Sequence, residues 1–152
     1  MIVRVGFAAL LLAATAAPVA ADDWRLVTSS RQFTVAIDVA SFTGPPTARL
    51  GWLVQVYRTT QMHGFDYVLR QVEFDCSSRT SVEAAFAAYQ ADGTVVASDQ
   101  TRGERSVVFP GSVSASELEA VCVGPPNDFG LPDLKSIVSF ARAANSLEMG
   151  LE

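Results

Sequence analysis

Alternating apolar and polar residues run through the middle of the chain, the period-two pattern that predicts β-strands with one buried face. The alternation is clearest in three segments, residues 33–39, 50–57 and 66–75. The first places its large apolar side chains on one face and predicts a half-buried strand. The second and third flank the polar turn Thr60–Gly64, which predicts an antiparallel hairpin. In the third, Arg70 is the polar exception on a face otherwise formed by Val68, Val72 and Phe74.

Residues 80–90 fit two secondary structures. Thr80 followed by Glu83 is a capping box, and the alanines after it favour a helix. Asp92-Gly93 is a strong hairpin-turn signal, however, and a hairpin needs a strand on each side of it. As a strand, the segment is expected to place four apolar side chains together in the core, Val82, Ala84, Phe86 and Ala88. We favour the strand, because tertiary contacts often override helix propensity.

Two helices are predicted in the last third of the chain. Ser114 and Glu117 form a second capping box, and three residues follow at the spacing of one helical face, Leu118, Val121 and Cys122. Gly124 and the two prolines after it end that helix. Residues 133–148 then have the period of an amphipathic helix. Packing on the domain's own surface is the favoured role of this tail helix, and docking to a partner is the alternative.

The first 21 residues have the pattern of a secretory signal peptide. Arg4 precedes an uncharged apolar stretch, and small residues lead to a predicted cleavage between Ala21 and Asp22. An uncleaved anchor is the alternative, because the stretch is just long enough to cross a bilayer. No cysteine lies near the cleavage position, so lipid attachment is not expected. We predict an exported protein, periplasmic or outside the cell, with no membrane insertion after cleavage, a domain at 22–124 and a tail at 125–152.

Cys76 and Cys122 are the only cysteines of the chain, and both follow the predicted signal peptide. An even number of cysteines in an oxidising compartment predicts a disulfide between them. A redox-active pair is the alternative, but such pairs usually stand close together as C-x-x-C. The predicted fold class is therefore α+β: a single antiparallel β-sheet with a short helix tethered by the disulfide, plus a C-terminal amphipathic helix.

Composition excludes several classes of function. With 16 acidic and 11 basic residues the net charge is −5, and nucleic-acid binding is not expected because it needs clustered lysine and arginine. His63 is the only histidine, and no nucleophile elbow, P-loop, zinc-binding or dinucleotide motif is present. Asp66, Glu73 and Asp75 could form a carboxylate pair or a calcium site, but solvated surface carboxylates are the default. We predict no catalytic residue, no metal and no cofactor, and hence no enzyme.

Short motifs make the region from Trp24 to Cys122 resemble the surface-adhesin E family. The motifs are Asp75-Cys76-Ser77-Ser78, Ala88-Tyr89-Gln90-Ala91-Asp92-Gly93-Thr94-Val95-Val96, Pro110-Gly111-Ser112 and Glu119-Ala120-Val121-Cys122. The resemblance implies an antiparallel sheet with a helix held by a disulfide, binding of host extracellular-matrix and serum proteins, and often a homodimer. It does not cover the tail after Gly124, and no ligand-contact residue can be transferred from it.

Three functions are compatible with these observations. The first is an exported protein-binding module that contacts its partner through the sheet or the loops. The second is a periplasmic structural or envelope-maintenance protein with no host ligand. The third is a small hydrolase that uses His63 or the pair Glu73 and Asp75. We rank them in this order.

Aromatic residues offer two candidate contact surfaces, Trp52 with Tyr57 and Phe65 with Tyr67. Trp52 shares its predicted face with Val54 and Val56, so we expect it to lie in the core instead.

Overall fold

The computed structural model describes residues 22–148. The predicted signal peptide, with Ala21 on one side of its cleavage position, lies outside the described residues, as do residues 149–152. Cleavage between Ala21 and Asp22, and the division of the chain at residue 124, stay predictions.

An antiparallel sheet of eight strands forms the body of the described chain. The strands and helices, in chain order, are β1 (Trp24–Ser29), β2 (Phe33–Asp38), β3 (Arg49–Tyr57), β4 (Tyr67–Asp75), β5 (Thr80–Tyr89), β6 (Val95–Asp99), β7 (Ser106–Val107), α1 (Val113–Cys122), β8 (Gly130–Leu131) and α2 (Leu134–Glu148). The spatial order is β6-β5-β4-β3-β2-β1-β8, and β7 also pairs with β5. Strands β1 to β6 therefore form a meander in which each strand pairs with the next along the chain.

Tight turns at the predicted positions connect the central strands. Gly64 lies between β3 and β4 with a φ of 80°, and Gly93 lies between β5 and β6 with a φ of 92°. Both glycines adopt a left-handed backbone conformation that side chains with a Cβ rarely tolerate. The hairpin at Asp92-Gly93 confirms that residues 80–89 form a strand, and the alternative helix with Thr80 as its cap is not formed.

A β-bulge in β5 changes which of its side chains share a face. Gln71 pairs with Ala85 and Val72 pairs with Glu83, so Ala84 is an extra residue in β5. The side chains on the two sides of a bulge project to opposite faces. The expectation that Val82, Ala84, Phe86 and Ala88 face the core together is therefore wrong: Val82 and Ala88 are buried on opposite faces, while Ala84 and Phe86 are only half-buried.

Each face of the sheet carries one helix and one hydrophobic core. We call the face with Val35, Ile37 and Leu53 the α1 face, because these side chains pack against Leu118 and Val121 of α1. The opposite face, the α2 face, carries Ala36, Val54 and Val56 against Ile137, Val138 and Ala141 of α2. The tail helix thus packs on the sheet, as favoured from its sequence. The α+β class, the single sheet and the two helices are confirmed.

Strand β2 is buried more completely than its sequence predicts. Thr34, Ala36 and Asp38, expected on the exposed face, are all buried. The reason is α2, which covers that face and leaves β2 between two helices. The strand also ends at Asp38 rather than at Val39, because the Asp38 carboxylate accepts a hydrogen bond from the Ala40 N–H and caps a short 3-10 turn at Val39–Ser41. Val39 is consequently 37% exposed.

Candidate functional site

Helix α1 is capped at its first turn and tethered to the sheet at its last turn. Its first turn is capped by Ser112, whose hydroxyl accepts a hydrogen bond from the Ala115 N–H at 3.1 Å. At its other end Cys122 forms the predicted disulfide with Cys76, which follows β4, and the two Cα atoms lie 5.7 Å apart. Gly124, with a φ of 131°, follows the helix as predicted.

The expected capping box of α1 is wrong, because Glu117 has a different role. The helix begins before Ser114, and Glu117 lies in its second turn with 2% of its side chain exposed. Its carboxylate accepts a hydrogen bond from the guanidinium of Arg70 on β4. A buried carboxylate needs such a partner, because moving a charged group out of water without a compensating hydrogen bond or opposite charge costs free energy. This pair explains why an arginine stands on an otherwise apolar strand face.

Helix α1 covers only part of the α1 face. It has ten residues and is therefore about 15 Å long, whereas the nine-residue strands β3 and β4 extend for about 30 Å. Val35 pairs across β2 and β3 with Gln55, and the same row continues over β4, β5 and β6 through Val68, Ala88 and Ala97. Within the described residues, no helix covers this row from Gln55 to Ala97. Phe33 and Tyr57 continue this surface on the next row. We call these six residues, with Phe65 and Phe86, the open half-face.

Three aromatic rings line one side of the open half-face. The Phe33 and Tyr57 rings meet edge-on with centroids 6.4 Å apart, and Tyr57 meets Phe65 in the same way at 5.5 Å. Beside them lies a groove of about 450 Å³, which is lined by Arg31, Gln32, Phe33, Gln55, Tyr57, Arg58, Thr59 and Gln61. Aromatic and arginine side chains of this kind are enriched in the cores of protein–protein interfaces.

A second groove lies on the other side of the open half-face and is almost entirely apolar. We call it the β6 groove. It has a volume of about 390 Å³ and is lined by His63, Phe65, Val68, Glu83, Phe86, Ala88, Val96 and Ala97. Tyr57 and Phe65, predicted as members of separate aromatic pairs, meet between the two grooves. Their predicted companions lie elsewhere, because Trp52 and Tyr67 pack in the α2-face core, Trp52 at its margin.

The predicted carboxylates do not assemble a catalytic pair, because each has its own partners. Burial disfavours the charged form of Asp66, but hydrogen bonds from the Thr60 hydroxyl and the Ala91 N–H, together with Arg142 of α2 at 2.6 Å, hold its pKa below the usual value. The Asp66 carboxylate therefore fastens α2 to the β3–β4 turn.

Glu73 and Asp75 are held by different partners. The guanidinium groups of Arg102 and Arg105 lie 2.8 and 3.0 Å from the two oxygens of Glu73 and lower the pKa of this carboxyl. Asp75 accepts hydrogen bonds from the backbone N–H groups of Ser78 and Ser77, which lower its pKa. Both carboxylates are therefore used in local structure, and a hydrolase based on them finds no support.

His63 is exposed in the β3–β4 turn and contributes one wall of the β6 groove. Its ring makes no hydrogen bond within residues 22–148. Over the same range, no cluster of three or more His, Cys, Asp or Glu side chains is placed to hold a metal ion.

Sequence reasoning missed the open half-face and the ion pair beneath α1. The polar exception at Arg70 was a usable signal for the pair, because a lone arginine on an apolar strand face requires a buried anion nearby. The open half-face gave no such signal, since its residues alternate as regularly as those under the helix.

Comparison with known sequences identifies one family. Neither curated proteins nor solved structures give a significant match to the chain. Among residues 22–148, no helix is long and apolar enough to span a membrane. The sequence model of surface-adhesin protein E matches residues 24–123, about two thirds of the 152-residue chain. The match indicates an adhesin-like, non-enzymatic protein of the exported surface class, and the chain belongs to the surface-adhesin E family.

Proposed function

We propose that this protein is an exported, non-catalytic binding module that contacts another protein through its open half-face. The observation that carries the proposal is the uncovered row beside the three aromatic rings. Phe33, Tyr57, Val68 and Phe86 remain partly exposed there, while α1 covers the other half of the same face. Exposed apolar and aromatic surface of this kind commonly marks an interaction site.

The proposed partner class, extracellular-matrix and serum proteins, is taken from what resemblance to the family implies. Two grooves flank the aromatic rings, one polar with Arg31 and Gln55 and one apolar with Val68 and Phe86. A protein surface offers both kinds of complementary group within such an area, because protein interfaces combine an apolar centre with a polar rim.

Location is the first test. Intact native cells are treated with a protease, and the released peptides are compared by mass spectrometry with the periplasmic and culture-medium fractions. We expect peptides of this chain from the surface or the medium. Recovery from the periplasm alone, with a mature chain starting at Asp22, would contradict host adhesion and favour the envelope-maintenance function.

Binding is the second test. The immobilised protein is screened against extracellular-matrix and serum proteins by surface plasmon resonance. Replacing Phe65 by alanine is expected to weaken binding of the partner by about tenfold or more, because aromatic anchors dominate interface energies. The matched control is Phe109→Ala, which truncates a ring that is 71% exposed outside the open half-face. Equal effects of the two substitutions would refute this surface as the contact.

A further inference from the structure

The β6 groove has an apolar floor that a second β-bulge completes. Ala97 pairs with Ala88, but Val95 pairs with Tyr89, so Val96 is an extra residue in the edge strand. A bulge redirects a side chain. Here it allows two consecutive residues, Val96 and Ala97, to line the same groove, whereas neighbours in a regular strand point to opposite faces.

Two carboxylates lie at the end of this floor that is nearer to α1. Glu83 lines the groove itself, with 42% of its side chain exposed. Asp99 pairs with Phe86 across β5 and β6, so it projects from the same face. The Thr101 N–H donates to the Asp99 carboxylate at 2.7 Å and lowers the pKa of this group, which keeps it ionised at neutral pH.

The nearby arginines are shared with other carboxylates. Arg70 forms a salt bridge with Glu83 at 3.9 Å, but it donates its hydrogen bond to Glu117. Arg102 and Arg105 form salt bridges with Glu73. Glu73 is an odd number of positions from Arg70 along β4, so its side chain projects from the opposite face, the α2 face. The groove therefore combines an apolar floor with a net negative end.

We propose that the β6 groove binds a polypeptide segment in which an exposed apolar side chain stands next to a lysine or arginine. The apolar side chain packs on Val68, Phe86 and Ala97, and the cation meets Glu83 and Asp99. The proposal rests on the proposed function, because it names the partner chemistry at one part of the open half-face.

The probe is the blocked peptide Gly-Gly-Leu-Lys-Gly-Gly, titrated into the ¹⁵N-labelled mature protein and followed by NMR. A contact of this size gives weak binding, with a dissociation constant of about 1 mM. We expect chemical-shift changes confined to the backbone amides of β5, β6 and the turn at His63. Peptides with Glu in place of Lys, or Gly in place of Leu, are expected to shift these amides at least about threefold less at low ionic strength.

Protein variants test the floor and the acidic end separately. Ala97→Phe fills the groove and is expected to abolish the shifts, while Ser98→Phe adds the same ring on the opposite face of the same strand and should leave them intact. The double substitution Glu83→Gln and Asp99→Asn removes both charges but keeps acceptor oxygens. It should weaken binding at least about threefold. Asp133→Asn is the charge control, because the Asp133 carboxylate, like that of Asp99, accepts a hydrogen bond from a nearby backbone N–H, here that of Ser136.

Several results would overturn the inference. Equal binding of the Glu peptide, shifts centred on Arg31 and Gln61, or no shift at about 10 mM peptide would each refute the proposed chemistry. Self-association of the wild type that Ala97→Phe abolishes in analytical ultracentrifugation would show that the groove holds a second copy instead. If a matrix or serum protein binds and Phe65→Ala weakens it while Ala97→Phe does not, the proposed function stands and this inference alone fails.

Discussion

Replacing Arg70 by methionine should leave the Glu117 carboxylate without its partner beneath α1. Glu117 has 2% of its side chain exposed and Arg70 has 20%. Removing one member of a buried ion pair typically costs about 3–5 kcal/mol, and since Arg70 lies at the margin of the core we expect about 3 kcal/mol. The reciprocal Glu117→Leu should cost less, about 1–2 kcal/mol, because Arg70 is partly solvated and retains Glu83 at 3.9 Å.

The double substitution Arg70→Met and Glu117→Leu separates charge from packing. It removes both buried charges, and also the Nε atom of Arg70, which has no hydrogen-bond partner within the described residues. We expect the double variant to unfold within about 1 kcal/mol of the wild type, since apolar replacement of a buried pair is often neutral. The coupling energy between the two sites should then exceed about 2 kcal/mol.

Urea unfolding of the oxidised protein, followed by circular dichroism, measures these free energies. The matched control is Arg79→Met, because Arg79 also reaches α1, at 4.0 Å from Glu119, but both side chains are largely exposed. Its effect should stay within about 0.5 kcal/mol. If the losses of the two single variants simply add in the double variant, the pair is not coupled and the account of how α1 is held is refuted.

Three further changes test other contacts of the fold. Replacing Cys76 by serine should lower the free energy of unfolding by about 4 kcal/mol, because the disulfide closes a loop of 46 residues, and an unchanged melting curve under oxidising conditions would contradict this. Asp66→Asn should lower the free energy of unfolding by about 1–3 kcal/mol at neutral pH. Because the folded-state pKa of Asp66 is lowered, this difference from the wild type should persist above about pH 4 and vanish as the pH falls further. Urea titrations at several pH values would show this dependence. Gly51→Ala should cost about 1–3 kcal/mol by differential scanning calorimetry, because the new Cβ would lie 2.5 Å from the Phe42 ring, whereas Gly103→Ala should be nearly neutral.

Local signals were sufficient to predict the sheet. Alternation identified the central strands, and Asp92-Gly93 correctly decided between strand and helix for residues 80–89. These signals succeed because a period of two and a tight turn are properties of a few adjacent residues. The cysteine pairing was equally accessible, because two cysteines in an exported chain leave one intramolecular choice.

Features that depend on distant residues were not predictable in the same way. The burial of Glu117 depends on where α1 meets β4, since its partner Arg70 is 47 positions away. The bulge at Ala84 depends on the register with β4, and one extra residue changes the face of every side chain beyond it. The open half-face depends on the length of α1 relative to the strands, which no single segment encodes.

The tail has a consequence for what counts as the folding unit of this protein. The family match ends at residue 123, yet β8 pairs with Trp24 and Arg25, and α2 supplies three buried side chains to the second core. A chain shortened to the shared region would present Val54, Val56 and Trp24 to water and would be prone to aggregate. Expression and fusion designs should therefore keep residues up to 148, because the segment that the family model matches is shorter than the segment that folds.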